Sequence, residues 1–284
     1  MIMAQSSSSS VQQARQVLAD RLREIVRDAG LDGKGLAALC GWHPSKVSRI
    51  CTGKTQPSEE DIRTWCRACN AEGQTSDLVA SLRAVEGMWL SWSRMERTGL
   101  RRVQDSRVPL YERTHRFRSY SPGLFPGLLQ TLGYTEDVLR AVQRRRVEVD
   151  DVADAVASRM ERQKVLRDGH RTFAFIVEEC VLRNALGGTE NQIEQLDHLL
   201  TLVSVPNISI GIIPARLNRV RMPVEGFWIF DSGQVNVELV SGFLTLTQPS
   251  EIKTYADTFA ALSGLSVYGT QARSLIVSAR DSLR

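Results

Sequence analysis

The stretch GLAALCGWHPSKVSRICTGKTQPSEEDI, residues 35–62, combines two short apolar patterns with glycines and a basic turn. Two short helices that cross closely need a small residue in the first, glycine in the turn and apolar residues facing back from the second. The residues that meet this need are spaced by four, six and three positions: Ala37, Gly41, Val47 and Ile50. The spacing predicts a helix-turn-helix, and we expect Leu36 and Leu39 to complete the buried face of its first helix.

The second helix of this pair carries polar and basic residues on its outer face. Pro44 suits its first position, because the missing N–H of proline has no helical partner there. In DNA-binding proteins built this way the second helix lies in the major groove, with its N-terminal residues at the base edges. Once Val47 and Ile50 face inward, the residues left for a DNA-reading face are His43, Pro44, Ser45, Lys46, Ser48, Arg49 and Thr52.

Roles within this face follow from side-chain chemistry. Arg49 is our candidate for a bidentate contact with guanine, and Ser45 and Lys46 for adjacent contacts to bases or phosphates. The flanking residues are expected to hold phosphates, which sets register without reading sequence: Lys34, Lys54 and Thr55. The competing interpretation is an ordinary helical hairpin whose basic side chains are simply exposed to solvent.

The same stretch resembles the helix-turn-helix of the XRE class, the phage Cro and lambda-repressor type. The resemblance lies in the Val-Ser-Arg-Ile run, the glycine turn and the Pro-Ser entry to the next helix. It implies a sequence-specific DNA-binding transcriptional regulator. Two positions depart from the pattern: His43-Pro44 replaces the usual Ser/Thr cap and following glutamine, and Cys51 stands where an acidic residue is common. The glutamine base contact of that class therefore has no counterpart here.

Length, charge and composition agree with a two-domain DNA-binding protein. The 284 residues suffice for two domains, and 42% hydrophobic with 24% charged residues is ordinary for a globular chain. Residues 1–120 carry a formal net charge of +6 and residues 121–284 one of −2, which favours a polyanion-binding module fused to another domain. With no apolar run of about 18 residues and no export signal, we expect a cytoplasmic, nucleoid-associated protein without membrane contact.

The five cysteines raise the question of a metal or redox site. Cys66 and Cys69 form a C-x-x-C, and the spacing puts both on one face of a predicted helix. A second such pair or a histidine pair at zinc-site spacing does not follow. We therefore expect structural thiols and neither a metal nor a cofactor.

Periodicity divides the chain into two domains with a connecting helix. We predict a disordered lead-in at 1–10, the helix-turn-helix domain at 11–72, a helical linker at 73–109 and a mixed regulatory and dimerisation domain at 110–284. A helix at 78–98 would carry Trp89 and Trp92. Alternating or continuous apolar runs predict the strands: 172–177, 207–213, 226–231, 234–240 and 243–247.

The predicted fold class is α+β. A lambda-repressor-like all-α bundle precedes a mixed domain, in which helices flank a small, mostly antiparallel sheet. Ser232-Gly233 would form a hairpin turn between two of the strands. Pro126 to Leu129 would form a rigid turn that places Leu128 and Leu129 in the core.

The second domain carries a further resemblance, through motifs that occur in a fixed order. These are YERTHRFRSYSPGLFPGLLQT, RMERQKVL, FIVEECVLRNALGG, QLDHLL, PNISIGIIP, GFWIFD and VNVELV. They resemble the C-terminal domain of unknown function of actinobacterial, antitoxin-like WhiJ-type regulators. The resemblance implies a transcription factor encoded beside a small protein that antagonises it.

A candidate site for a ligand or partner lies in the second domain. Arg159, Arg162 and Gln163 lie about one helical turn apart and are suited to grip an anionic ligand or a partner carboxylate. The alternative, which we favour, is that they pair with Glu178 and Glu179 in a structural role. The full candidate set is Arg159, Arg162, Gln163, Glu178, Glu179 and Arg183.

We predict a homodimeric regulator that binds palindromic or pseudopalindromic double-stranded operator DNA. One alternative is an antitoxin-like interaction protein that sequesters a small partner protein. Another is a regulator that senses a small ligand in a pocket lined by Phe175, Trp228 and Phe230. No nucleophile–base–orienter set is present and the four histidines are scattered, so we do not expect an enzyme.

Overall fold

The computed structural model describes residues 8–91, 97, 99–146, 149–215, 218–240 and 242–284. These residues belong to two compact units, Met1–Leu90 and Ser91–Arg284. The first unit is helical and the second contains a mixed sheet flanked by helices, so the predicted α+β class is confirmed.

The first unit is a bundle of short helices separated by glycine and proline turns. Its helices are α1 (Ser8–Asp28), α2 (Gly33–Cys40), α3 (Pro44–Cys51), α4 (Glu59–Ala68) and α5 (Thr75–Met88), with a 3-10 turn at Glu72–Gln74. Glycines with positive φ follow the first three helices: Gly30, Gly41 and Gly53. Ser58 begins α4 through a capping box with Asp61, in which each residue satisfies an otherwise unpaired backbone N–H of the other.

The core of the first unit joins α1, α2, α3 and α4 around Trp65. That indole is fully buried, and its Nε1 donates to the carbonyl oxygen of Leu22 at 3.3 Å. Cys66 and Cys69 are buried in the same core, as expected for structural thiols. Leu39, which we expected in the core, is 63% exposed. The buried residues of α2 are Leu36 and Ala37, and Leu39 faces solvent.

The helix predicted at 78–98 is shorter and begins earlier in the structure. α5 ends at Met88 and is followed by a short strand, β1 (Trp89–Ser91). Its Leu78, Val79 and Leu82 are buried in the first core, although this range was predicted as a linker. Within the predicted helix, residues 92–96, which include Trp92, and residue 98 lie outside the described residues. Of the predicted lead-in, residues 1–7 lie outside them as well, and residues 8–10 are helical.

The second unit is built from alternating helices and strands. Its first elements are α6 (Leu100–Asp105), α7 (Val108–Arg113), β2 (Arg116–Ser121), α8 (Leu132–Arg146), α9 (Val152–Arg162) and β3 (Thr172–Glu178). Then follow α10 (Thr189–Leu202), β4 (Ile208–Ile213), β5 (Phe227–Phe230), β6 (Gln234–Glu238), β7 (Gly242–Leu246), α11 (Pro249–Leu265) and α12 (Gly269–Asp281). None of the described helices is long and apolar enough to cross a membrane.

The sheet of the second unit has the strand order β7-β6-β5-β2-β3-β4. The pairs on the β7 side are antiparallel, whereas β2–β3 and β3–β4 are parallel. β2 lies in the middle of this order, and we did not predict it as a strand. Its sequence, RFRSYS, holds two apolar residues among polar ones, and Ser119 is nevertheless fully buried.

The core beneath the sheet is aromatic where β2 meets its neighbours. Phe117 stacks on Phe173 with ring centroids 4.9 Å apart, and Phe230 meets Phe117 edge-on at 5.8 Å. Such arrangements add stabilisation beyond the area that the rings bury. The predicted turn after Pro126 is confirmed, because a 3-10 turn at Gly127–Leu129 buries both of its leucines.

Candidate nucleic-acid interface

The turn between α2 and α3 sets the angle at which α3 is presented. Gly41 has φ 69° and ends α2 in the left-handed conformation, which a residue with a side chain adopts at a cost. Trp42 N–H donates to the carbonyl oxygen of Ala37 at 2.8 Å and closes the turn. Val47 and Ile50 are buried on the inner face of α3. The helix-turn-helix geometry expected from the spacing is therefore present.

The opposite face of α3 carries exposed polar side chains and one exposed arginine. Ser45, Ser48, Arg49 and Thr52 are exposed. The hydroxyl of Thr52 donates to the carbonyl oxygens of Ser48 and Arg49, at 2.9 and 3.2 Å, and so helps to end the helix. The side chains of Arg49 and Ser48 are thus open to solvent on the face opposite the buried one.

His43 is the N-cap of α3, and Pro44 lies within its first turn as predicted. The Nδ1 atom of His43 accepts from the Ser45 backbone N–H at 3.3 Å and is 2.8 Å from the Ser45 hydroxyl. The imidazole thus performs the capping role that a serine or threonine usually has. Its Nδ1 is used in the cap, which leaves Nε2 for any contact with DNA.

Lys46 lies in an ion pair within the protein. Its Nζ is 2.6 Å from Oδ1 of Asp61 and lies over the Trp42 ring, 4.1 Å from the centroid. Burial acts to raise the pKa of Asp61, but hydrogen bonds from Lys46 and Ser58 outweigh it and lower that pKa. Lys46 therefore joins the first turn of α3 to the first turn of α4. Sequence reasoning placed it at the DNA and missed this partner.

The three residues predicted to hold phosphates flank α3 on both sides. Lys34 is exposed in the first turn of α2, and Lys54 and Thr55 are exposed just after α3. The backbone N–H of Thr55 donates to the carbonyl oxygen of Arg49 at 3.1 Å. The loop is thereby held close to the end of α3.

The candidate ligand residues of the second unit form two separate clusters. Arg159 and Arg162 contact Gln104 on α6, and Arg159 also contacts Gln130. Gln163 donates to the carbonyl oxygens of Gly127 and Gln130, both at 2.8 Å, and so holds the turn that carries the buried leucines.

The pairing of these residues with Glu178 and Glu179, which we favoured, is wrong. Gln104 and Gln130 had no signal in the sequence, because both lie far along the chain from α9.

Glu178 and Glu179 have partners of their own. Glu178 is buried at the end of β3, where Arg219 grips it bidentately at 2.7 and 2.9 Å and the Tyr120 hydroxyl donates to it at 2.7 Å. Burial, followed by the hydrogen bond to Glu178, raises the pKa of Tyr120.

Glu179 lies just after β3, at the start of a 3-10 turn. Its Oε2 accepts from the Ala215 N–H at 2.9 Å, and its Oε1 pairs with Arg183 at 3.3 Å. The interactions of both glutamates hold the loop after β4.

The three aromatic residues predicted to line a pocket differ in burial and in contact with the cavity. Trp228 is half-buried and lines a cavity of the second unit, whereas Phe175 and Phe230 are buried beside it in the core. Phe175 and Phe230 both pack against the Trp228 ring, at 5.9 and 6.0 Å.

Two protein families match the chain. A helix-turn-helix domain matches residues 17–79, from within α1 into α5. A domain of unknown function (DUF5753) matches residues 108–278, which is more than half of the 284 residues. No curated protein and no solved structure matches. The helix-turn-helix match indicates a DNA-binding regulator.

Proposed function

The chain belongs to the family of the domain of unknown function DUF5753, and from this premise we propose a transcriptional regulator that binds operator DNA as a homodimer. The observation that carries the proposal is the exposed face of α3. Its inner face is held against α2 by Val47 and Ile50, while Arg49 and Ser48 face outward. A helix fixed in this way has the form needed to enter a major groove.

The proposed roles divide into reading, positioning and phosphate contact. Arg49 reads guanine, with Ser45 and Ser48 beside it. Lys46 and the capping His43 hold α3 in place, and Lys46 reaches DNA only by sharing its ion pair with Asp61. Phosphates are held by flanking residues, namely Lys34, Lys54 and Thr55.

We propose binding as a dimer because one helix-turn-helix reads a single half-site. Two half-sites would be spaced by about 10 bp or a multiple of it. The motif resemblances further support placing the first unit in the XRE class and the second in the antitoxin-like, WhiJ type. A role in binding, rather than in catalysis, fits the structural partners that hold Glu178 and Glu179.

The test of DNA reading compares Arg49→Ala with a matched surface arginine. Operators selected from random DNA by the intact protein are titrated by fluorescence polarisation. Arg49→Ala should weaken binding to the selected operator by about 1–3 kcal/mol, with a smaller loss on random DNA. Arg67→Ala, on the exposed side of α4 beside Glu60, should bind as the wild type does.

Three results bear on the proposal differently. An equal loss of Arg49→Ala on both DNAs would reduce Arg49 to a phosphate contact. Failure to select any sequence at moderate salt would refute DNA reading. Mass photometry should find two chains on the whole operator and one on a half-operator; one chain on both would refute the dimer.

The antitoxin-like alternative has its own test. The product of the adjacent reading frame should co-purify with the intact chain when the two are expressed together. Release of operator DNA by that product would join the two functions, and stable co-purification without operator binding would favour sequestration alone.

A further inference from the structure

The second unit contains a cavity of about 390 Å³ between α6, α8, α9 and the turn that follows β2. Its size falls within the range of small-molecule sites, roughly 300–1,000 Å³. One part of the wall is apolar and includes Leu100, Phe125, Leu139 and Trp228. The other part carries charge, and its composition is unusual for a protein interior.

Four arginines line the charged part of the cavity: Arg107, Arg145, Arg159 and Arg162. Among the lining residues that the structure describes, Glu238 is the one carboxylate. It pairs with Arg107 at 3.0 Å. The cavity therefore holds an excess of positive charge.

Arg159 and Arg162 are held by neutral acceptors. The Nε of Arg159 donates to Gln104 Oε1 at 3.2 Å, and another of its guanidinium nitrogens donates to Gln130 Oε1 at 3.0 Å. Arg162 donates to the backbone carbonyl and the side-chain oxygen of Gln104, at 2.9 and 3.0 Å. Within the described part of the chain, neither guanidinium has a carboxylate at ion-pair distance.

Two of the arginines around the cavity each have a guanidinium N–H without a hydrogen-bond acceptor among the described residues. Arg162 is 7% exposed. Its Nε and that of Arg107 are buried without a hydrogen-bond partner among the described residues. A buried donor without a partner is destabilising, and more so when the group is charged. Two positively charged donors at the cavity are therefore buried without an acceptor from the described residues.

The surroundings of Arg159 disfavour its charged form and so lower its pKa. Burial, and then repulsion by Arg162, lowers the pKa of Arg159 to about 9. That value still leaves the guanidinium charged at neutral pH. A buried and a half-buried cation lie side by side here, which destabilises the unit unless an anion compensates them.

Two other arginines of the same unit have carboxylate partners. Arg171 pairs with Asp168 at 2.7 Å and also donates to the carbonyl oxygens of Tyr111, Thr114 and Glu112. Arg219 is matched bidentately by Glu178. Both have a carboxylate within the chain, whereas Arg159 and Arg162 have glutamine and carbonyl oxygens that orient the guanidinium without neutralising it.

We propose that this cavity binds a small organic anion. A carboxylate or phosphate group of the ligand lies against Arg159 and Arg162, and its apolar part packs against Leu139 and Trp228. Gln104 and Gln130 orient the two guanidiniums in advance, so that little ordering is needed when the ligand binds. Binding at this site does not depend on the DNA-binding role of the first unit.

The test uses the intact chain and isothermal titration calorimetry in a buffer free of phosphate. The probes are phenylacetate and phenyl phosphate, with phenylacetamide as the neutral counterpart. At least one anion should bind with one site per chain, and phenylacetamide should not bind. Which anion binds more tightly distinguishes a carboxylate site from a phosphate site.

Variants assign the binding to the cavity. Arg159→Gln and Arg162→Gln should each weaken anion binding about tenfold or more, because charge-assisted hydrogen bonds are lost. Arg280→Gln is the matched control, since Arg280 pairs with Asp197 and Asp281 away from the cavity, and it should bind as the wild type does. Arg159→Gln should also be no less thermally stable than the wild type without ligand, which a purely structural arginine would not allow.

Two outcomes overturn the proposal: neither anion binds at millimolar concentration, or both cavity variants bind as the wild type does. If a variant fails to fold by circular dichroism, nuclear magnetic resonance of the wild type decides. The arginine Nε–H signals assigned to residues 159 and 162 should then shift on addition of the anion. Unchanged signals would overturn the proposal as well.

Discussion

The ion pair between Lys46 and Asp61 holds the α3 helix to the rest of the helix-turn-helix, and Asp61→Ala tests it. Asp61 makes two interactions that the substitution removes. Its Oδ1 is 2.6 Å from the Nζ of Lys46, and its Oδ2 accepts from the Ser58 backbone N–H at 3.0 Å. The side chain of Asp61 is 19% exposed and that of Lys46 is 35% exposed.

The expected loss of stability follows from these two interactions. A cap hydrogen bond contributes about 1 kcal/mol, and a partly exposed ion pair contributes up to about 1 kcal/mol after screening by solvent. We therefore expect Asp61→Ala to lower the free energy of opening of α3 and α4 by about 1–2 kcal/mol. This corresponds to about five- to thirtyfold more of the open form.

Hydrogen exchange of the intact chain, read by mass spectrometry on peptides from α3 and α4, measures this free energy. Glu60→Ala is the matched control: Glu60 is in the same helical turn, is 74% exposed and lies 3.6 Å from Arg67. It should change the free energy by less than about 0.5 kcal/mol. Lys46→Met is measured both in the wild type and in Asp61→Ala. The resulting double-mutant cycle should give a coupling energy between Lys46 and Asp61 of about 0.5–1 kcal/mol.

The same pair predicts a pH dependence. The pKa of Asp61 in the folded chain is below its ordinary 3.8. Its stabilisation is therefore present above that ordinary value and is lost as pH falls through the lower folded pKa. The difference between wild type and Asp61→Ala should shrink only in this acid range. A zero coupling energy with Lys46, or an equal effect of Glu60→Ala, would refute the reasoning.

Three other substitutions or reactions test separate parts of the fold. Gly41→Ala should cost about 1–2 kcal/mol in the same exchange measurement, because φ is 69° while an added Cβ would meet no atom within 4 Å. Burial, and then two neighbouring thiols, raises the pKa of Cys69 to about 11. Its reaction with a disulfide reagent at neutral pH should therefore be slower than that of the exposed Cys180. Glu178→Ala should destabilise the second unit by about 3 kcal/mol in urea denaturation, because Arg219 is left without its carboxylate.

Local signals in the chain predicted the helix-turn-helix closely. Glycine after a helix, proline at the start of the next and serine as a cap act within a few residues, so their effects can be read in order along the chain. The start of α3 at Pro44 illustrates this. Leu39 shows the limit, because the width of a buried face depends on what packs against it.

The second unit was predicted less completely. Strands with continuous apolar residues, such as β4, were recognised near their true bounds. β2 was missed because its arginines and serines give a polar pattern, and its burial comes from parallel pairing with β3 and antiparallel pairing with β5. A local pattern cannot show that a segment lies between two partners that come later in the chain.

Short-range signals were enough to predict the start of α3 and its polar face, because capping and amphipathic periodicity act within a few residues. The partners of the charged groups, in contrast, depend on how the chain packs. Lys46 meets Asp61 across 15 residues, and Arg162 meets Gln104 across 58. Such partners are selected by packing and by the cost of burying a charge, which arise only when distant segments exclude water together.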